Sequence, residues 1–163
     1  VQCYDEEAHL HRMVLCRRDI DHMRTLPEEQ WDITVAGLPV YWIFPNVILM
    51  PFQAGAFLVR AYPTAGDPGR HVSKIDFYMK GELANSTGEQ AAEINDMIAN
   101  IAQDFALIIR DEDYVMGESQ QMSADAGMLD HVVFGRNEPA LHHYHSTYAS
   151  KLGEPVPPLV DSI

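Results

Sequence analysis

Ile94-Asn95-Asp96-Met97-Ile98-Ala99-Asn100-Ile101-Ala102-Gln103-Asp104-Phe105-Ala106-Leu107-Ile108 places Ile94, Met97, Ile98, Ile101, Ala102, Phe105 and Ile108 at three- and four-residue steps. That spacing predicts a long amphipathic helix with an apolar stripe to bury. Ser86-Thr87-Gly88-Glu89, just upstream, predicts its start through a capping box between Ser86 and Glu89. Before the helix the texture differs. Ile33-Thr34-Val35, Val40 to Phe44, Val47 to Met50, Phe57 to Tyr62 and Val72 to Tyr78 are β-branched and aromatic runs punctuated by Gly and Pro, which predicts strands. The dense turn signal from Pro63 to Gly69 predicts an antiparallel hairpin with a somewhat long loop. Strands first and helices afterwards give an α+β domain, the stripe of the long helix packing on an antiparallel sheet.

The flanks read less simply. Glu6 to Arg24, with Leu10, Val14, Leu15, Ile20 and Met23 at mixed spacing, predicts a helix ending before Pro27. Leu129 to Phe134 predicts a short strand, and Asn137-Glu138-Pro139 opens a last helix that runs through Leu152 and stops at Gly153 and Pro155. The Pro-rich end, Glu154 to Pro158, predicts an extended segment.

The 163 residues, 47% hydrophobic and 21% charged, suit one domain or a large piece of one. A net charge of −13 repels phosphate backbones and anionic lipid surfaces, which argues against nucleic-acid and membrane partners. The longest apolar stretch, Val40 to Phe52, is broken by Pro45, Asn46 and Pro51 and is too short to span a bilayer. Cys3 and Cys16 form no Cys-x-x-Cys or Cys-x-His pairing, so disulfide, zinc-ribbon and iron-sulfur readings lack support and reduced cytoplasmic thiols are the expectation. Val1-Gln2-Cys3-Tyr4-Asp5 has neither an initiator Met nor a signal-peptide pattern, and the chain is read as a fragment of a longer one.

The chemistry-bearing residues gather after the long helix. Asp113, in Asp111-Glu112-Asp113, is either part of a solvated acidic turn or a lone metal-ligand carboxylate. The eight histidines, His9, His11, His22, His71, His131, His142, His143 and His145, contain no pair four or five apart. His142 and His145 lie three apart on the last helix without a carboxylate or thiolate at ligand spacing, so packing is the plainer role. His9 and His11 are expected on different sides of the first helix.

Four stretches, in order from about Tyr41 to Leu152, resemble the catalytic domain of Rieske-type non-haem iron ring-hydroxylating oxygenase α subunits. Phe44-Pro45-Asn46 looks like the segment between two strands of that family's central sheet, and Arg60-Ala61-Tyr62-Pro63 through Phe77-Tyr78 looks like the hairpin that follows. Asp113, followed by Glu118 and Gln120 or Gln121, is similar to the stretch in which the family's Asp ligates mononuclear iron. Gly135-Arg136-Asn137-Glu138, leading to His142-His143-Tyr144-His145, resembles the closing helix.

The resemblance implies a helix-grip (START/Bet v 1-like) fold, truncated at the N-terminus, and a partial catalytic domain over residues 1–163 without a Rieske domain. It implies an Fe(II) held by a 2-His-1-carboxylate triad with Asp113 as the carboxylate; the two His come from an upstream motif that this chain lacks. The Rieske [2Fe–2S] Cys/His signature is likewise outside the chain. Asn46 and Phe105 are implied as substrate-facing, where a turn-forming Asn and a core Phe are the plainer readings. Glu118 and Gln120 are implied as partners orienting Asp113, where polar helix positions are the plainer reading. The intact protein would take electrons from NAD(P)H through a ferredoxin or reductase, hydroxylate an apolar, aromatic substrate, and assemble as α3 or α3β3; this chain alone would be inactive. A non-catalytic helix-grip module for hydrophobic ligands is the alternative, since fold by itself does not separate the two.

Overall fold

Alternating apolar residues joined by short turns favour pairing between neighbours in sequence, and the sheet is an uninterrupted antiparallel meander. A computed structural model describes residues 2–5, 9–127 and 131–158. Its six strands follow chain order: β1 (Gln2–Asp5), β2 (Leu10–Cys16), β3 (Gly37–Ile43), β4 (Val47–Phe52), β5 (Gly55–Thr64) and β6 (Asp67–Met79). Between them lie two single-turn helices, α1 (Ile20–Met23) and α2 (Ile33–Ala36). After the sheet come α3 (Gly81–Ala84), the long α4 (Gly88–Ile108), α5 (Val115–Asp125) and α6 (Pro139–Leu152). The architecture is the expected α+β helix-grip arrangement.

Register explains which faces are buried. Trp42 pairs with Ile48, Ile48 with Val59 and Met50 with Phe57, so these side chains share one sheet face. Met50, Phe57 and Val59 are buried there, surrounded by Leu38, Val40, Ile48, Phe52 and Phe77. Helix α4 covers them with Ile101, Ala102 and Phe105. The Phe57 and Phe105 rings stack at 4.2 Å and 14°, with Phe52 and Phe77 at 5.4 and 5.2 Å from Phe57. Large rings in offset contact supply much of the burial available to so small a core. The stripe of α4 is only partly used: Ile98 is buried, whereas Met97 and Ile108 are 43% and 51% exposed. At 100° per residue these two lie on the flank turned away from Ala102, beyond the reach of a single sheet face.

Several expectations are corrected. The helix expected from Glu6 to Arg24 is mostly strand: Leu10 to Cys16 pairs residue by residue with Ile43 to Gly37, and only Ile20–Met23 is helical. Mixed spacing serves either period, and the ladder to β3 decides it; residues 6–8 lie outside the described residues. His9 and His11 therefore do not share a helix. His11 is buried in β2, and His9 precedes it at a φ of 50° with its ring against Phe44. Ile33-Thr34-Val35 is helical because Asp32 caps it, accepting from the Thr34 amide at 2.8 Å and the Thr34 hydroxyl at 2.6 Å.

The capping box is not formed. Thr87 is the N-cap of α4 and makes no side-chain cap bond, while Gly88 takes a φ of 65°. The β5–β6 loop is tighter than expected: Thr64 pairs with Asp67, leaving Ala65 and a positive-φ Gly66, with an irregularity at Pro63 and Thr64. Of the strand expected over Leu129 to Phe134, residues 131–134 are not strand and residues 129–130 lie outside the described residues. The start of α6 at Pro139 and its stop at Gly153, φ 73°, agree with expectation.

Helix α6 closes the end of the sheet at β1 and β2. Trp42 meets Tyr144 at 4.7 Å, Phe44 meets Tyr148 at 5.0 Å, and the Tyr148 hydroxyl donates to the Pro45 carbonyl beside the cis Phe44–Pro45 bond. Tyr148→Phe is expected to cost about 1 kcal/mol, read as a lower urea midpoint at unchanged slope. Gly55 opens β5, where a methyl group would sit 1.9 Å from the Tyr78 carbonyl oxygen. Backbone must move to admit it, so Gly55→Ala is expected to cost roughly 1–3 kcal/mol in the same measurement.

Candidate functional site

Charged residues after an apolar stripe suggest that a helix has ended, yet the backbone from Arg110 to Asp113 stays helical. It widens into a π turn over Ile109–Tyr114 before α5 resumes at Val115. An inserted π turn rotates the residues after it relative to those before it, a device that recurs at functional sites.

The rotation divides the side chains. Tyr114 faces the hairpin, its ring edge-on to His71 at 5.5 Å and its hydroxyl buried without a partner. Gln121 faces the same hairpin: a methyl on Gly69 would lie 3.3 Å from its Nε2, which donates to Asp125 at 2.8 Å. On the outer side Asp111, Glu112 and Asp113, with Val115, Met116, Gly117 and Gln120, line an open cleft of about 460 Å³. Asp113, Met116 and Gln120 follow one another at helical steps and so share that side.

The three acids are not equivalent. Arg110 grips Asp111 through Nε at 2.5 Å and Nη2 at 2.8 Å. Those bonds hold the Asp111 carboxyl below its ordinary pKa. Among the described residues no hydrogen bond or ion pair engages Asp113, which is exposed. Its carboxylate keeps its lone pairs available to a cation.

The remaining expected residues are placed as follows. Gln120 lines the cleft; Glu118 does not, and neither hydrogen-bonds Asp113. Asn46 lies in the β3–β4 turn, where its side-chain amide donates to the Ala61 carbonyl at 2.7 Å and its own carbonyl accepts from the Ala61 amide at 3.1 Å. Phe105 is half-buried in the core against Phe57. Neither Asn46 nor Phe105 lines the Asp113 cleft. His142 and His145 both contact Phe134, at 5.7 and 4.7 Å. Burial, then the nearby His142, depresses the His145 pKa.

Gly117 of the cleft was not singled out from sequence, whereas Met116 sits beside Asp113 at an ordinary helical step. Ile108, Val115, Met116 and Met122 are 51%, 54%, 59% and 67% exposed, and of these Val115 and Met116 line the cleft.

Iron can be tested against this donor set. Among the described residues no group of three or more His, Cys, Asp or Glu side chains could hold a metal ion. Asp113 fits one position of a three-ligand centre, and the described residues do not furnish the other two.

A helix-grip domain with a free carboxylate on a helical bulge is the class that fold and site define. The chain matches the family described as ring hydroxylating alpha subunit (catalytic domain) over residues 8–154, and it belongs to that family. The family is one of oxygenases that generally depend on iron, work with ferredoxin or reductase partners and oligomerise. No curated protein and no solved structure matches the chain significantly. Among the described residues no helix is long and apolar enough to cross a membrane.

Proposed function

We propose that this chain is part of the catalytic domain of a Rieske-type ring-hydroxylating oxygenase α subunit, and that Asp113 supplies the carboxylate ligand of its mononuclear Fe(II). The observation that carries the reading is the exposed, unengaged carboxylate of Asp113 on the π turn, in a cleft of about 460 Å³, beside an Asp111 already neutralised by Arg110. A cation recruited to this turn meets one free aspartate rather than a diffuse acidic cluster. The two histidine ligands and the Rieske [2Fe–2S] cluster belong to segments outside these 163 residues. The exposed Val115 and Met116 of the cleft are where such a segment would bury its own apolar surface.

When bound by all three ligands, iron of this kind supplies the O₂ chemistry that hydroxylates an apolar, aromatic substrate. The chain's part is to hold Asp113 in place: Tyr114 and Gln121 seat the π turn on the hairpin, and the aromatic core fixes α4 beneath it. Electrons would come from NAD(P)H through a ferredoxin or reductase, in a trimer with or without β subunits. By itself the chain would not turn over. Anaerobic loading with Fe(II) followed by metal analysis is expected to leave this chain without stoichiometric iron and to load a longer subunit that carries the two histidines. Stoichiometric iron on the 163-residue chain would overturn the division of ligands.

A further inference from the structure

An antiparallel sheet that faces water on one side sets polar side chains there, and the face opposite the aromatic core follows that rule only in part. Across the ladder Tyr41, Leu49, Leu58 and Asp76 share this reverse face. Towards β6 it carries Arg60 and Lys74 as register partners, with Arg60 ion-paired to Asp76. Towards β2 its character changes. Val14 pairs there with Pro39 and Cys16 with Gly37, and neither pair carries a charge.

This apolar end is the floor of a cavity of about 470 Å³, open on one side. Gly37 and Pro39 are buried in the floor. The absent side chain of Gly37 permits the close approach of β2, since a methyl there would lie 2.7 Å from Cγ1 of Val14. Ile20 of α1 and Ile33 and Ala36 of α2 form the walls, and Ile33 is 56% exposed. Tyr41 and Arg12, a register pair, complete the lining. Arg12 is the one charged side chain among the described lining residues and already makes an interaction of its own, so an ionic group is not what the lining selects.

Size and lining together define the ligand. Small-molecule sites enclose about 300–1,000 Å³ behind mostly apolar walls with a few polar groups. A fused aromatic ring system falls within that size. A peptide strand does not suit the place, because β2 and β3 are each paired on both edges and offer no free row of backbone groups. We propose that this cavity, between the β2–β3 face and α2, is a binding site for a small uncharged aromatic molecule, distinct from the Asp113 cleft. The two share no lining residue among those described. Occupancy ties α2 to the β2–β3 ladder and so stabilises the chain as ligand concentration rises.

Indole, two fused rings with one N–H, is the probe, titrated into the 163-residue chain and followed by amide NMR. One indole per chain is expected, with a Kd of about 1 mM or tighter, in keeping with so few atoms. The shifts should centre on the amides of Val14, Cys16, Ala36 and Gly37. Cys16 is exposed and lines the cavity, so saturating indole should slow its alkylation by iodoacetamide at least about threefold, read on the Cys16 peptide by mass spectrometry. Ile33→Glu sets a carboxylate in the wall while suiting the first turn of α2, and should weaken binding at least about tenfold at an unchanged urea midpoint. Ile20→Gln serves as the wall variant should Ile33→Glu not fold, and should also weaken binding. Binding that does not saturate, shifts centred on the Asp113 cleft or the aromatic core, an unprotected Cys16, or wild-type affinity in a folded wall variant would each overturn the site. No iron enters the experiment, so its outcome is independent of the assignment of Asp113.

Discussion

Asp113→Ala in the intact subunit is expected to empty the mononuclear iron site and to lower hydroxylation by more than about a hundredfold. Loss of an outer partner of a ligand typically costs about 10–100-fold, and loss of the ligand itself costs more. Two controls make the result specific to Asp113. Asp111→Asn removes an equal charge from the same turn, but one already gripped by Arg110 at 2.5 and 2.8 Å, so iron should stay bound. Glu112→Gln alters the remaining acid of the run and should also leave iron in place. Metal analysis and product formation read all three variants. If Asp113→Ala retains its mononuclear iron, the assignment falls; if all three variants lose iron to a similar degree, the acidic run acts as a diffuse charge and Asp113 has no special place in it.

Phe57→Ala carries the second large expected effect, on stability. Phe57 is 6% exposed and in contact with Phe52, Phe77 and Phe105, so truncation removes one side of each contact and leaves a cavity. Such a change costs about 3–5 kcal/mol. Domains of this kind are held by about 5–15 kcal/mol in total, so a large part of the margin disappears. Urea unfolding followed by tryptophan fluorescence should show a sharply lower midpoint. Phe105→Leu keeps most of the volume and should cost under about 1.5 kcal/mol. A Phe105→Leu variant of the intact subunit with native stability and changed substrate preference would show that the ring meets substrate as well as Phe57.

The strands β3 to β6 were legible because each pairs with its neighbour in the chain, so local alternation and local turns carry the whole instruction. Strand β2 was not. Leu10, Val14 and Leu15 satisfy either period, and the choice rests on backbone bonds to Gly37–Ile43, beyond any short window of sequence. For Ile33-Thr34-Val35 a strong strand propensity lost to one capping carboxylate, Asp32, whose effect depends on where its side chain turns.

The candidate site divides in the same way. Asp113 was found by its likeness to a family segment, a relation carried by residue identity and order. Asn46 and Phe105 were named on the same ground, and the fold gives each an internal partner, the Ala61 carbonyl and the Phe57 ring. A sequence pattern does not reveal whether a side chain is already spoken for.

The sequence by itself determined an α+β chain with a hairpin, a long amphipathic helix, a capped final helix and an acid at Asp113, because each of these depends on propensities and periods that act over a few residues. Only the tertiary structure decided that β2 is a strand, that Arg110 to Asp113 continues the helix as a π turn, and that Asp111 is engaged while Asp113 is open. Each of those outcomes turns on which partner satisfies a backbone or side-chain polar group, and the partners are chosen by packing across the whole domain.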